Sequence, residues 1–359
     1  MAQPRSDART EGTGRRSRRR RAGLVLATLL AVLAALLGTS GAAFATGGGS
    51  GGSGGASGGT GPRLTVPPAA LLASFTCRGN PRQGAEPVLL IPGTTLDPDV
   101  NFDWNYERAF TARGQAWCAV RLPNHAMSDI QVSAEYVVAA IRALHLVAGK
   151  KIDVVGFSQG GMIGRWALKF WPDTRGDVDD LVGIDPSNHG TLDARAICQP
   201  VVGCAPAFWQ QRTGSNFLTA LNAGQETYAG IDYTQIYSVD DEVVVPNLPP
   251  AASSSLSTGP GAKANIAVQS VCPAHVADHL SMGSIDPVGY ALVIDAITHP
   301  GVANGARVDR SVCAAALMPG VDPATLPANE ARYNGQTATV AATYPHVPAE
   351  PALAPYARS

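Results

Sequence analysis

An α/β fold, with a mostly parallel sheet covered by helices on both faces, is predicted by three observations. Short apolar runs alternate with stretches that repeat apolar residues at helical spacing. One such run, Ile152 to Val155, leads into Gly156-Phe157-Ser158-Gln159-Gly160, and a helix-like stretch from Met162 to Phe170 follows at once. The chain has 359 residues, 45% of them hydrophobic, which is ample for one large core without the staples a small scaffold needs.

In chain order, Pro87 to Ile91 reads as a short strand closing at Pro92-Gly93-Thr94-Thr95, and Trp117 to Leu122 as a second. Ser133 is placed to cap a helix that carries Val137, Ile141 and Leu144 on one face and stops at Gly149. The run into Ser158 is the next strand, and its helix must end before Pro172. Leu181 to Ile184, Ile231 to Val239 and Ile266 to Val271 are further strand expectations, followed by a helix over Val288 to Ile297. In parallel sheets of this kind, sites gather at the carboxyl ends of the strands, and Ser158 lies at one.

The formal charge of −1 hides an asymmetry. The first 46 residues hold eight arginines against Asp7 and Glu11, and the remainder carries 19 basic and 26 acidic side chains. A mildly acidic body argues against nucleic acid as a partner. The arginines precede an uncharged stretch, Ala22 to Ala45, that ends in Ala43-Phe44-Ala45, so residues 1–45 read as an export signal. An uncleaved anchor holding the protein outside the membrane is the alternative. Residues 46–63 are rich in Gly and Ser and read as a flexible linker, and 64–359 as a single domain. In an exported chain the six cysteines are expected in disulfides; Cys198 and Cys204 are near enough in sequence to bridge locally.

Gly-x-Ser-x-Gly also fits trivially at Ser50, Ser53 and Ser57. Only Ser158 follows a strand and opens a helix, where a strained turn would lift its hydroxyl from the sheet toward free helix N–H groups. A serine hydroxyl is a weak nucleophile, so it predicts an imidazole to take its proton and a carboxylate to orient that ring. Downstream, Asp185 and the cluster Asp240-Asp241-Glu242 follow strands, and His275, His279, His299 and His346 remain for the base. His275 and His279 have helical ligand spacing, but Val276 stands where a zinc protease has Glu, so no metal is expected.

Several segments together carry a resemblance. They are Val88-Leu89-Leu90-Ile91-Pro92-Gly93-Thr94, Phe157-Ser158-Gln159-Gly160-Gly161, Trp209-Gln210-Gln211, Thr213-Gly214-Ser215, Tyr237-Ser238, Asp241-Glu242 and Asp278-His279. In order and spacing they resemble the lipase/esterase family of α/β-hydrolases, in its lipase B branch, from about Leu71 to Cys313. The likeness returns at Glu350-Pro351 and Pro355-Tyr356-Ala357-Arg358. The resemblance implies a carboxylic ester hydrolase with Ser158, Asp241 and His279 as catalytic residues. It further implies an oxyanion hole at Thr94 and Gln159, substrate contacts at Phe157 and Gln211, and disulfides Cys77–Cys118 and Cys272–Cys313, leaving Cys198 and Cys204 for each other. No cofactor or stable protein partner is implied; the partner is an ester or lipid, at a lipid–water interface where the substrate is insoluble. An acyltransferase or polyester hydrolase on the same triad, or an inactive surface module, are the rival readings.

The chain departs from that branch in three places. Gly156 replaces a bulkier residue and Phe157 a tryptophan; residues 314–349 are expected to lack the alanine-rich helix that lines the cleft. Cys198 and Cys204 are an addition, in the segment that resembles a small lid, and their bridge is expected to limit its motion.

Overall fold

The computed structural model describes residues 59–358. The predicted export signal and the linker up to residue 58 lie outside the described residues.

Seven strands form one sheet: β1 (Phe75–Arg78), β2 (Val88–Ile91), β3 (Trp117–Val120), β4 (Ile152–Phe157), β5 (Val178–Ile184), β6 (Asp232–Tyr237) and β7 (Ala262–Ala267). Their order is β1-β3-β2-β4-β5-β6-β7. All neighbours are parallel except β1, which pairs antiparallel with β3. Every residue of β2, β3 and β4 is buried. This is why they read as unbroken apolar runs: both faces of the sheet are covered.

Alternate residues serve two cores. Leu89, Val120, Val154 and Leu181 pack against α4 (Ile130–Ala148) and α5 (Gln159–Phe170) on one face. Val88, Leu90, Val155, Val182 and Ile236 face α11 (Pro287–Thr298), together with Tyr106 and Phe110 of α3 (Tyr106–Ala112). Asp129, not Ser133, caps α4 by accepting from the Gln131 N–H; Ser133 lies buried one turn inside. The helix ends where predicted, with Gly149 at φ 69°.

The Gly/Ser linker is already held at its last residues. Thr60 O accepts from Arg142 at 2.9 Å and Pro62 O from Trp171 Nε1 at 2.8 Å. Glu135 then takes the Thr65 hydroxyl at 2.7 Å and the Val66 N–H at 2.8 Å. Polar side chains of the body thus fix a stretch whose own composition predicts none of this order.

Two further sequence expectations need correction. The strand expected over Ile266 to Val271 overlaps β7 only at Ile266 and Ala267: β7 begins four residues earlier, at Ala262, and Val268–Val271 forms the short helix α9. Residues 314–349 do contain a helix, α12 (Leu326–Thr343). Gly335 and the β-branched Thr337, Thr339, Val340 and Thr343 hid it, because they are poor helix formers and leave no apolar stripe. Tyr333 is its one buried residue and meets Trp104 edge-on, with ring centroids 6.5 Å apart. Gln336 donates to Thr95 O at 2.9 Å, which sets α12 over the turn after β2.

All three disulfides pair as the resemblance implies: Cys77–Cys118, Cys198–Cys204 and Cys272–Cys313. The first joins directly opposed residues of β1 and β3.

Candidate active site

Ser158 sits between β4 and α5 with φ 54° and ψ −120°, the strained conformation expected of a strand-to-helix elbow. Its N–H donates to Ile184 O at 2.8 Å, anchoring the turn on β5. Its side chain makes no capping bond to α5, so the hydroxyl is not spent on the helix it opens. Glycines make the turn possible. A Cβ on Gly160 would lie 2.1 Å from Ile91 O, and one on Gly156 would lie 2.2 Å from Gly160 O.

Asp241 and His279 meet at 2.9 Å, Oδ2 to Nδ1. Of the three clustered carboxylates, Asp241 is buried while Asp240 and Glu242 are exposed, which settles which of them faces the imidazole. Glu242 holds the backbone of the same residue, accepting the His279 main-chain N–H at 3.0 Å. Asp241 Oδ1 accepts the N–H groups of Val243 and Val244, each at 2.8 Å. Asn247 Nδ2 adds a bond to Oδ2 at 3.2 Å. Burial alone would raise Asp241; the charge and hydrogen bond of His279, with the Val244 and Val243 amides, outweigh it and hold the carboxyl below its ordinary value. With Nδ1 committed to Asp241, Nε2 is the nitrogen left for chemistry.

The imidazole lies against the elbow. Its ring is 4.8 Å from that of Phe157, the residue before Ser158, at an interplanar angle of 37°. Phe157 is buried between positions that only glycine allows: a Cβ on Gly93 would come within 2.8 Å of its ring, and one on Gly283 within 2.6 Å. Asn101 ties the two sides together, accepting the Gly93 N–H at 3.1 Å and donating to Gly283 O at 3.0 Å. The residue next to Ser158 is thus packed against the His279 ring, and no hydrogen bond between Ser158 and His279 is present among the described residues. In hydrolases such bonds are commonly long in the free enzyme and tighten with substrate.

Gln159 follows Ser158 directly, and its side chain reaches Thr94. Among the described residues neither backbone N–H donates to a protein acceptor. Thr94 Oγ1 accepts two hydrogen bonds, from Gln159 Nε2 and from Gln211 Nε2, each at 3.0 Å. A hydroxyl has two acceptor sites and one proton, so these two amides leave only the O–H free, to be donated. Gln211 is itself held by the Ser187 hydroxyl at 2.9 Å and by Ala207 O at 3.2 Å. Gln211 therefore touches the site through Thr94, and Phe157 touches it through His279.

The other histidines are bound elsewhere. His275 pairs with Asp286 and His279 with Asp241, so the two face different carboxylates and do not converge on a common ion. The side-chain hydrogen bond to Asp286 is the main cause that raises His275 above its ordinary value. His125 bonds Asp97 at 2.7 Å and His189 bonds Glu226 at 2.8 Å. His299 lies against Asp295, and His346 against Val202 O. Asp185, Asp241 and His279 do bring one ligating atom each within 4.8 Å of one another, but the Asp241 and His279 atoms are partnered by protein donors and acceptors.

Sequence reasoning did not find Asn101 or Asn247. No local pattern marks them, since each joins a nearby segment to a distant one: Asn101 links Gly93 to Gly283, and Asn247 links Asp241 to Asp185. Asp185 was visible as a carboxylate at a strand end, and the structure places it beside Asp241.

A mostly parallel sheet with such an elbow at its central strand defines an α/β-hydrolase. The chain belongs to the class 2 lipase family, described as Lipase (class 2), whose profile matches residues 85–270. It is 38% identical over 224 residues to Lipase B of Pseudozyma antarctica, spanning 61% of this chain and 64% of that protein, slightly under two thirds of its length. The crystal structure of Aspergillus fumigatus lipase B matches with a TM-score of 0.76 at 31% identity, over 83% of this chain and 73% of that one.

Proposed function

We propose that this chain is a secreted serine hydrolase that cleaves carboxylic esters, acylglycerols among them, through an acyl-enzyme on Ser158. The observation that carries the reading is the buried His279–Asp241 pair packed against the elbow, together with the N–H groups of Thr94 and Gln159 that have no acceptor among the described residues. His279 Nε2 takes the Ser158 proton as Oγ bonds to the ester carbon, and the carbonyl oxygen becomes an anion. The Gln159 and Thr94 N–H groups and the Thr94 O–H stabilise that anion. His279 then gives the proton to the departing alcohol, and later removes one from the water that releases the acid. Asp241 holds the ring with Nδ1–H toward itself and stabilises the imidazolium.

Export by residues 1–45, a linker at 46–63 and a catalytic domain at 64–359 complete the proposal. The three disulfides support an oxidising compartment. An apolar substrate is supported by the exposed Leu192, Ile197, Val201 and Val202, around the disulfide-bridged segment that leads to Gln211.

The test is a p-nitrophenyl ester chain-length series with emulsified triolein, on the wild type and on Ser158→Ala. An organophosphonate is expected to label the wild type at Ser158. The variant is expected to lose about a millionfold in turnover. An unlabelled wild type, or a variant that keeps its rate, refutes the proposal.

A further inference from the structure

Asp185 has no part in the roles above, yet it is built into them. It follows β5 directly, and its backbone stands at φ 42°, a conformation few non-glycine residues accept. Its N–H donates to Ile236 O at 2.8 Å, tying the turn to β6. The side chain is completely buried.

Its two oxygens differ. Oδ1 accepts the Ser238 N–H at 2.8 Å and Asn247 Nδ2 at 3.3 Å, whereas Oδ2 is buried with no protein partner. The same Asn247 nitrogen reaches Asp241 Oδ2 at 3.2 Å, so one amide spans both carboxyl groups. One carboxylate oxygen of Asp185 and one of Asp241 lie within 4.8 Å of each other, and a direct bond between two carboxyl groups exists only if one of them carries a proton.

The donors decide which. Asp241 receives Val243 N–H, Val244 N–H, Asn247 Nδ2–H and His279 Nδ1–H, and every one favours its ionised form. Asp185 has donors on one oxygen and none on the other, in a place without water contact. Burial first, and then the neighbouring Asp241, push it well above the ordinary carboxylate range, with Asp286 adding negative charge nearby. Asp286 itself pairs with His275, and Glu242 faces the His279 N–H.

We propose that Asp185 is a positioning residue: a neutral carboxylic acid that donates its Oδ2–H to the Asp241 carboxylate and holds that carboxylate behind His279. The proposal rests on the Ser158–His279–Asp241 reading. It gives the buried, unpartnered Oδ2 a role, and it disperses part of the Asp241 charge. A neutral acid kept as a donor in an apolar site is a known device in proton-transfer enzymes.

The experiment compares the wild type, Asp185→Asn and Asp185→Ala, on a soluble p-nitrophenyl ester across pH, after organophosphonate labelling of each. Asn supplies a neutral donor in place of the O–H, keeps an oxygen for Ser238, and tolerates positive φ. Asp185→Asn is expected to hold kcat within about threefold, with the acid limb of kcat/KM unmoved. Asp185→Ala is expected to lose about tenfold in kcat at unchanged KM, through loss of a hydrogen bond to a charged group. Its acid limb should move to higher pH, because an undispersed Asp241 charge favours the imidazolium. If Asp185→Ala does not fold, the acid limb of Asp185→Asn decides alone. A downward shift of that limb by half a pH unit or more means Asp185 is ionised in the wild type and overturns the proposal. An alanine variant with wild-type kcat and pH profile also overturns it. Failure of the wild type to label removes the triad reading, and this proposal with it; labelling with a shifted Asp185→Asn limb removes this proposal alone.

Discussion

Thr94→Val isolates one hydroxyl. Valine keeps the branched shape and stiff χ1 of threonine, and the backbone N–H groups of residues 94 and 159 stay where they are. What goes is the O–H that the two glutamine donors leave free, in the proposed mechanism one of three donors to the developing anion. Loss of one such donor costs about 2.7–4 kcal/mol of transition-state stabilisation, so kcat/KM should fall by about a hundred- to a thousandfold. There is a separate cost to the fold. Gln159 Nε2 keeps Ala126 O at 2.9 Å and Gln211 Nε2 keeps Ala207 O at 3.2 Å, so neither amide is left bare, but each loses one hydrogen bond. At about 1 kcal/mol each this lowers the melting temperature by a few degrees. Thr94→Ser restores acceptor and donor together and should stay within about tenfold of the wild type. The assay is kcat/KM on p-nitrophenyl butyrate, with calorimetry alongside. If Thr94→Val retains activity within about threefold, or Thr94→Ser falls as far as Thr94→Val, the hydroxyl does not act on the anion and the reasoning fails.

Two further outcomes follow from the geometry. Gly160→Ala places a Cβ 2.1 Å from Ile91 O, a backbone atom that cannot rotate away, so it should destabilise the protein by about 3 kcal/mol or more and abolish labelling of Ser158; a variant with wild-type melting temperature and labelling rate contradicts the close packing of the elbow. The Cys198–Cys204 loop is pinned a second time, Cys204 N–H to Val347 O at 3.2 Å and Val347 N–H to Cys204 O at 2.9 Å, so the rate on a short-chain ester should rise smoothly through its solubility limit; a jump at the interface would show that this segment opens.

How far the fold and the site could be read ahead depends on the range of the interactions that make them. The elbow was legible because its requirements are local: glycines two residues either side of a serine, a strand before and a helix after. β4 and α5 announce themselves for the same reason, and Gly149 ends α4 by its own backbone freedom. α12 was not legible, because a handful of contacts hold it, Tyr333 on Trp104 and Gln336 on Thr95, and its own composition resists helix formation. The strand expected at β7 was placed too late, because its first four residues, Ala262 to Asn265, are exposed or half-buried and form no apolar run, whereas the apolar pattern from Ile266 continues through Ala267 into α9, where a helical turn buries the same residue types.

The carboxylates are the sharpest case. Asp185 and Asp241 both follow strands, and chain order alone admits either as partner of His279. What separates them is a count of donors. Four N–H groups converge on Asp241, one of them from the imidazole, and two on a single oxygen of Asp185. Those donors come from the loop after β6 and from a histidine 38 positions beyond Asp241, so the choice of which acid is charged is made only when β5 and β6 lie side by side. Asn247 makes the dependence explicit: one amide nitrogen touches both acids, and nothing in its own neighbourhood of sequence marks it for that place. The chemistry of the site is thus set less by which ionisable residues are present than by how the sheet distributes backbone and amide N–H groups among them.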